Sequence, residues 1–135
     1  MTVGSFTSVS LEPPLVGFFP GRKSTIWPKI ERTGRFCVNV LAADQHDHCG
    51  LLASKIENKF ETLPYRLSSR GLPILQGVIA WIDCGLESVQ EAGDHYFVLG
   101  RVLALKSEVV DSPLIFFRGG YGHFSPVVET PLASR

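Results

Sequence analysis

Ser5-Phe6-Thr7-Ser8-Val9-Ser10-Leu11-Glu12-Pro13-Pro14-Leu15-Val16-Gly17-Phe18-Phe19-Pro20-Gly21-Arg22-Lys23-Ser24-Thr25 is the stretch from which the rest of the chain can be read. Small hydroxyl residues alternate with apolar ones from Ser5 to Leu11, the period of a strand with one face buried. Ser5, Thr7, Val9 and Leu11 share one face in that reading, and Phe6, Ser8 and Ser10 the other. Pro13-Pro14 cannot continue a paired central strand and ends the run. Leu15 to Phe19 reads as a second strand and Pro20-Gly21 as a turn. A short helix then opens near Trp27-Pro28, since Pro suits the first helical position, and Gly34 ends it. Arg22, Lys23, Ser24 and Thr25 stand just ahead of that helix. Two cations and two hydroxyls beside free N–H groups and a helix dipole suit a phosphate. The plainer reading is an N-capped helix after a surface turn with solvated charges, and chemistry alone leaves both open.

Composition narrows the classes. A chain of 135 residues is one domain with a workable core. Lys plus Arg and Asp plus Glu both number 13, so no net field draws it to nucleic acid or an anionic membrane. No apolar run is long enough to cross a bilayer, and no basic segment precedes an apolar one as in a signal peptide. A cytoplasmic protein is expected. Cys37, Cys49 and Cys84 are odd in number and widely spaced, which suits a reducing compartment rather than a disulfide framework or zinc module. Cys37 and Cys84 lie in apolar runs and read as small core residues.

Further along, Arg35 to Ala43 reads as a strand with Phe36, Val38 and Val40 on one side and Cys37, Asn39 and Leu41 on the other. An Asn inside an apolar strand must satisfy its amide, against a ring edge or against backbone at a bulge. Asp44 is expected to N-cap a helix reaching Ser54. His46 and His48 on that helix point apart, so a solvated face is expected there rather than a metal site. Residues 54–64 read as a polar helix or turn carrying Lys59 and Phe60, and 68–77 as loop. Strands return over 78–86 and from His95 to Lys106, joined by a turn at Glu91 to Asp94. Leu114 to Arg118 is expected as the last strand, Gly119 to Gly122 as a flexible turn, and 125–135 as a frayed tail after a domain spanning 1–124. Five or six strands with two or three short helices predict a mainly β fold, a small antiparallel barrel.

Four blocks in order carry a resemblance. They are Ser5-Phe6-Thr7-Ser8-Val9-Ser10-Leu11 with Pro13-Pro14-Leu15-Val16, Gly34 to Leu41, Asn58-Lys59-Phe60, and Gly93-Asp94-His95. From about residue 3 to residue 124 the chain resembles the flavin reductase-like, FMN-binding split-barrel family, which includes the reductase components of two-component flavin monooxygenases. The resemblance implies a split β-barrel holding FMN, with FAD or riboflavin as other candidates, and using NADH or NADPH. It implies that Ser5, Phe6, Thr7 and Ser8 hold the flavin ring, and that Arg22, Lys23, Ser24 and Thr25 hold its phosphate. Asn39, Val40, Leu41, Lys59 and Phe60 become flavin neighbours, and His95, with Tyr121, borders the nicotinamide. Relatives carry a helix and one or two strands ahead of the hydroxyl strand; their lack here is expected to mean either a truncated or mis-started chain or an open barrel edge that invites another chain.

The reading that follows is an NAD(P)H:flavin oxidoreductase, a homodimer that passes reduced flavin to a monooxygenase. Hydride transfer asks the protein to orient two rings at roughly 3–3.5 Å and to exclude water. No catalytic triad or paired carboxylates are therefore needed. The lack of a Gly-x-Gly-x-x-Gly after a strand argues against a Rossmann dinucleotide fold. A non-catalytic flavin-binding split barrel is the alternative from another class. A pyridoxamine-phosphate-type oxidase is a third, for which no basic cluster is found.

Overall fold

A computed structural model describes residues 1–54 and 58–128. Its strands are β1 (Thr7–Leu11), β2 (Pro14–Phe18), β3 (Arg35–Val40), β4 (Tyr65–Leu67), β5 (Pro73–Leu75), β6 (Ala80–Ala92), β7 (His95–Ser107), β8 (Leu114–Phe117) and β9 (Gly120–His123). Two helices, α1 (Trp27–Thr33) and α2 (His46–Ala53), complete it with a 3-10 turn at Ala43–Gln45. One antiparallel sheet runs β1-β2-β7-β6-β3, and β4-β5 and β8-β9 form separate hairpins. This is the expected mainly β architecture with short helices.

β6 and β7, at 13 residues each, are long enough to serve two layers. Register shifts between Asp83 and Cys84 and between Leu86 and Ser88 bend the pair, which is how a sheet coils towards a barrel. Their loop is Gly93-Asp94 between the paired Ala92 and His95, with Gly93 at φ +65°, the position a two-residue hairpin turn reserves for Gly. Inside the curve lie Val16, Phe18, Trp27, Phe36, Cys84 and Val98. Phe18 meets Trp27 and Phe36 edge-on at 5.7 and 5.2 Å. Gly100 admits the Phe36 ring, for a Cβ there would sit 2.5 Å from it. On the opposite face, Ile74 and Leu75 of β5 cluster with Leu63 and Val78, and Leu51 and Leu52 of α2 and Trp81 of β6 pack against them.

Asp83 lies between these layers, fully buried, with neither carboxylate oxygen hydrogen-bonded. Arg70 Nη1, reaching in from the β4-β5 loop, stands 3.9 Å away. Cys37 is its partner across the β3-β6 ladder and Cys84 its neighbour. Both thiols are pushed up to about 12, by burial first and then by the charge of Asp83. Asn39 ties the same hairpin down: Nδ2 donates to the Pro73 carbonyl at 3.1 Å, and the Leu75 N–H donates to Oδ1 at 2.8 Å.

Several expectations change. β1 is exposed along most of its length, because it is the edge strand and its pairing shifts between Ser8 and Ser10, breaking the alternation. Asp44 does not cap a helix; it sits in the 3-10 turn, where Gln45 Oε1 accepts from the Ala42 N–H at 2.9 Å. The stretch 68–77 contains β5, and Gly120 to His123 is a strand, not a turn. Arg118 and Gly119 form the turn instead, both with positive φ, as a type I′ hairpin requires. In the expected tail, residues 129–135 lie outside the described residues, as do 55–57 in the expected 54–64 segment.

Candidate functional site

Two sequence blocks far apart in the chain are joined by backbone. Arg22 donates its N–H to the Asp94 carbonyl and Tyr96 donates to the Pro20 carbonyl, both at 2.9 Å, with Gly21 bridged to His95 between them. The strip ahead of α1 is thus laid along the mouth of the β6-β7 hairpin. Beside it opens a groove of about 740 Å³ lined by Gly4, Ser5, Phe19, Pro20, Gly21 and His95, together with the first three residues and Ala92. Ser5 is pinned there, its Oγ accepting from the Phe19 N–H at 3.0 Å. Phe19 stacks on Phe97 with centroids 5.0 Å apart.

The phosphate candidates divide by how each is engaged. Arg22 reaches Glu91 at 3.4 Å and lies over the Tyr96 ring at 5.2 Å. Ser24 serves the helix: its Oγ accepts from the Ile26 and Trp27 N–H groups at 3.3 and 3.1 Å. Lys23 and Thr25 are exposed, and no described residue pairs with either side chain. On β1, Thr7 donates to the Ser8 carbonyl at 3.2 Å and Phe6 packs against the core, while the Ser8 side chain is exposed.

Of the candidates, Ser5 and His95 line the groove; Phe6, Thr7, Ser8 and Arg22 to Thr25 do not, and neither do the rest. Asn39 spends its amide on β5, as described. The carbonyls of Val40 and Leu41 accept from Ile79 at 3.0 Å and Leu114 at 2.9 Å. Lys59 donates to the Leu52 carbonyl at 2.7 Å, at the C-terminal end of α2 where a cation is favoured. Phe60 meets Tyr65 edge-on at 5.4 Å. Tyr121 lies on β9, 5.5 Å from Phe116 and 6.2 Å from His46, its phenol pushed up by a hydrogen bond with Cys49. Thr2, on the groove, donates from Oγ1 to the Cys49 carbonyl at 3.2 Å and so links the two regions.

Sequence reasoning singled out Gly93-Asp94-His95 as a block but gave Asp94 only a backbone bond in the turn, whereas its Oδ1 lies 2.8 Å from His95 Nδ1. Glu91 was part of the turn, yet it holds Arg22. The signal for Asp94 was its place directly before a His; for Glu91 only pairing across the fold supplies one.

Lys23 and Thr25 are free to meet a phosphate, and at Gly4 and Gly21 even a Cβ would meet nothing within 4 Å, leaving main chain open to a ring. Residues 1–125 match the family described as flavin reductase like domain. The chain belongs to that family. A flavin reductase of Pseudomonas putida is 63% identical over 127 residues, which cover 94% of this chain and 75% of that protein. The flavin-dependent monooxygenase reductase subunit HsaB of Rhodococcus jostii (strain RHA1) is 46% identical over 127 residues, covering 94% of this chain and 65% of the subunit. Among solved structures, the NADH:FAD oxidoreductase SgcE6 of Streptomyces globisporus C-1027, in complex with NAD and FAD fragments, superposes with a TM-score of 0.89 at 31% identity. That match covers 96% of this flavin reductase-like domain and 79% of the SgcE6 chain.

Proposed function

We propose that this flavin reductase-like domain, over residues 1–124, is an NAD(P)H-dependent flavin reductase that supplies reduced flavin to a separate flavin-dependent monooxygenase. The observation that carries the reading is the backbone pairing of Pro20 to Arg22 with Asp94 to Tyr96, which sets a phosphate-suited strip beside a groove-facing His. The relatives named as reductases, one of them a monooxygenase subunit, support it, and nothing among them favours a non-catalytic binder. FMN with NADH is the pairing to test first, ahead of FAD, riboflavin and NADPH.

Bound flavin supplies the ring that accepts a hydride from reduced nicotinamide. The chain's residues do the rest. Lys23 and Thr25, with Arg22, hold the phosphate, while Ser24 keeps the helix start in place. Ser5 to Ser8 offer hydroxyls and main chain to the ring, and His95 orients the nicotinamide. Asn39, Val40 and Leu41 act from behind by fixing the β3 end. Lys59, Phe60 and Tyr121 lie outside the groove lining, and a second subunit would present them to the ligands. A homodimer fits the exposed Ile115, Phe116, Phe117 and Phe124, an apolar set too large for a two-stranded hairpin facing water. A cytoplasmic location completes the proposal.

Oxidation of NADH by the purified chain, with FMN, FAD or riboflavin added in turn, tests the reading. Turnover that requires flavin is expected. Absence of turnover while flavin fluorescence is still quenched would overturn it in favour of a binder.

A further inference from the structure

His95 faces the groove with one ring nitrogen already engaged: Nδ1 lies 2.8 Å from Oδ1 of Asp94. The Asp94 carboxyl is held below its ordinary range, first by that hydrogen bond and then by the charge His95 can carry. At neutral pH the carboxylate can only accept, so Nδ1 must donate. The backbone on both sides is clamped, Asp94 through its carbonyl to the Arg22 N–H and Tyr96 through its N–H to the Pro20 carbonyl. The two side chains therefore meet on a fixed frame. Arg22, the cation on the facing strip, is engaged by Glu91 and by the Tyr96 ring.

We propose that Asp94 is a positioning residue that holds the His95 imidazole in the Nδ1–H tautomer, so that Nε2 is presented as an acceptor for the carboxamide N–H of a reduced nicotinamide. Which imidazole nitrogen carries the proton is set by the hydrogen bond the other makes. Here the carboxylate makes that choice, and a carboxamide N–H then finds an acceptor rather than a competing donor. The inference rests on the nicotinamide role proposed for His95. The Asp94 side chain is 96% exposed, so its replacement removes this contact without opening the core.

Long-range proton–nitrogen NMR of the imidazoles, at about pH 8 where an ordinary imidazole is neutral, reads the tautomer directly. The chain has 4 His, and a His95→Gln variant assigns the signal. A protonated Nδ1 and bare Nε2 are expected in the unmodified chain. In Asp94→Ala that preference should vanish, and in Asp94→Asn both forms should appear, because an amide can accept or donate. The KM for NADH should rise roughly fivefold in Asp94→Ala, the loss of one ordinary hydrogen bond. The rise should be smaller in Asp94→Asn, with kcat and flavin affinity nearly unchanged in both. A protonated Nε2 in the unmodified chain, or an Nδ1–H form that persists in Asp94→Ala, would overturn the proposal. A tautomer that shifts while KM stays put would overturn the nicotinamide contact of His95, and flavin-dependent turnover by the unmodified chain would still decide the reductase reading separately.

Discussion

Ser24 and Thr25 are adjacent hydroxyls with different tasks. Ser24 accepts from two N–H groups at the start of α1, whereas Thr25 has no partner among the described residues. Thr25→Ala should weaken FMN roughly tenfold, the worth of a hydrogen bond to a charged group, and leave riboflavin binding and thermal stability alone. Ser24→Ala should lower stability by about 1 kcal/mol whatever its effect on flavin. Fluorescence titration with both flavins, beside thermal unfolding, separates the two; equal loss of FMN and riboflavin in Thr25→Ala would remove the phosphate assignment. The thiols behave as a second residue-scale test. Cys84 is raised to about 12, so its contribution is present below the unfolded thiol value and is lost as pH rises from there towards about 12. Each pH unit within that window removes up to ~1.4 kcal/mol per thiol. Denaturation midpoints should fall between neutral and strongly alkaline pH, and the fall should be shallower in Cys84→Ala.

At the scale of elements, β2, α1, β3 and β7 were legible because local signals agreed there: Pro at the helix start, Gly34 at its end, alternation along the strands; β6 was legible only to Leu86, for it runs on through Glu91 to Ala92, where a turn was expected. Shorter pieces were not. Pro73–Leu75 is three residues among Gly and Pro breakers, and its strand exists because Asn39 and the partner β4 bind its main chain. The burial of Asp83 follows from the same hairpin, which covers a face that alternation alone could not assign. Asn39→Ala should cost about 1–3 kcal/mol, because the Leu75 N–H and the Pro73 carbonyl lose their partner, and hydrogen exchange at Leu75 should accelerate. Unchanged exchange there would deny the clamp. Gly100→Ala should cost a similar amount by overpacking, since Phe36 stands 2.5 Å from the added carbon. Gly100 was an unremarked strand glycine in the sequence, for the ring that needs its space arrives from β3.

For the whole molecule, the ion pair beneath the β4-β5 loop and the bare outer hairpin make opposite demands. Arg70→Ala leaves Asp83 buried without the cation at 3.9 Å and should destabilise by about 1–3 kcal/mol, while Arg70→Ala with Asp83→Asn should recover part of it. Urea unfolding of both variants measures this, and equal stability of the two would show that Arg70 does not compensate Asp83. The β8-β9 aromatics should be covered in solution: Phe116→Ser with Phe117→Ser is expected to turn a dimer into a monomer by light scattering. The outline of one small barrel and the flavin motif were readable from the chain, but the join between its two ligand strips was not, because 70-odd residues separate partners whose contact is main chain and leaves no residue signature. On the proposed ligand assignment that ladder is a common ruler: a residue inserted between Phe19 and Lys23 would slip His95 by a register step, so loops grafted to alter the choice of flavin would mis-space the nicotinamide as well. Ligand preference in this scaffold is open to exchange of side chains at fixed length and closed to exchange of segments.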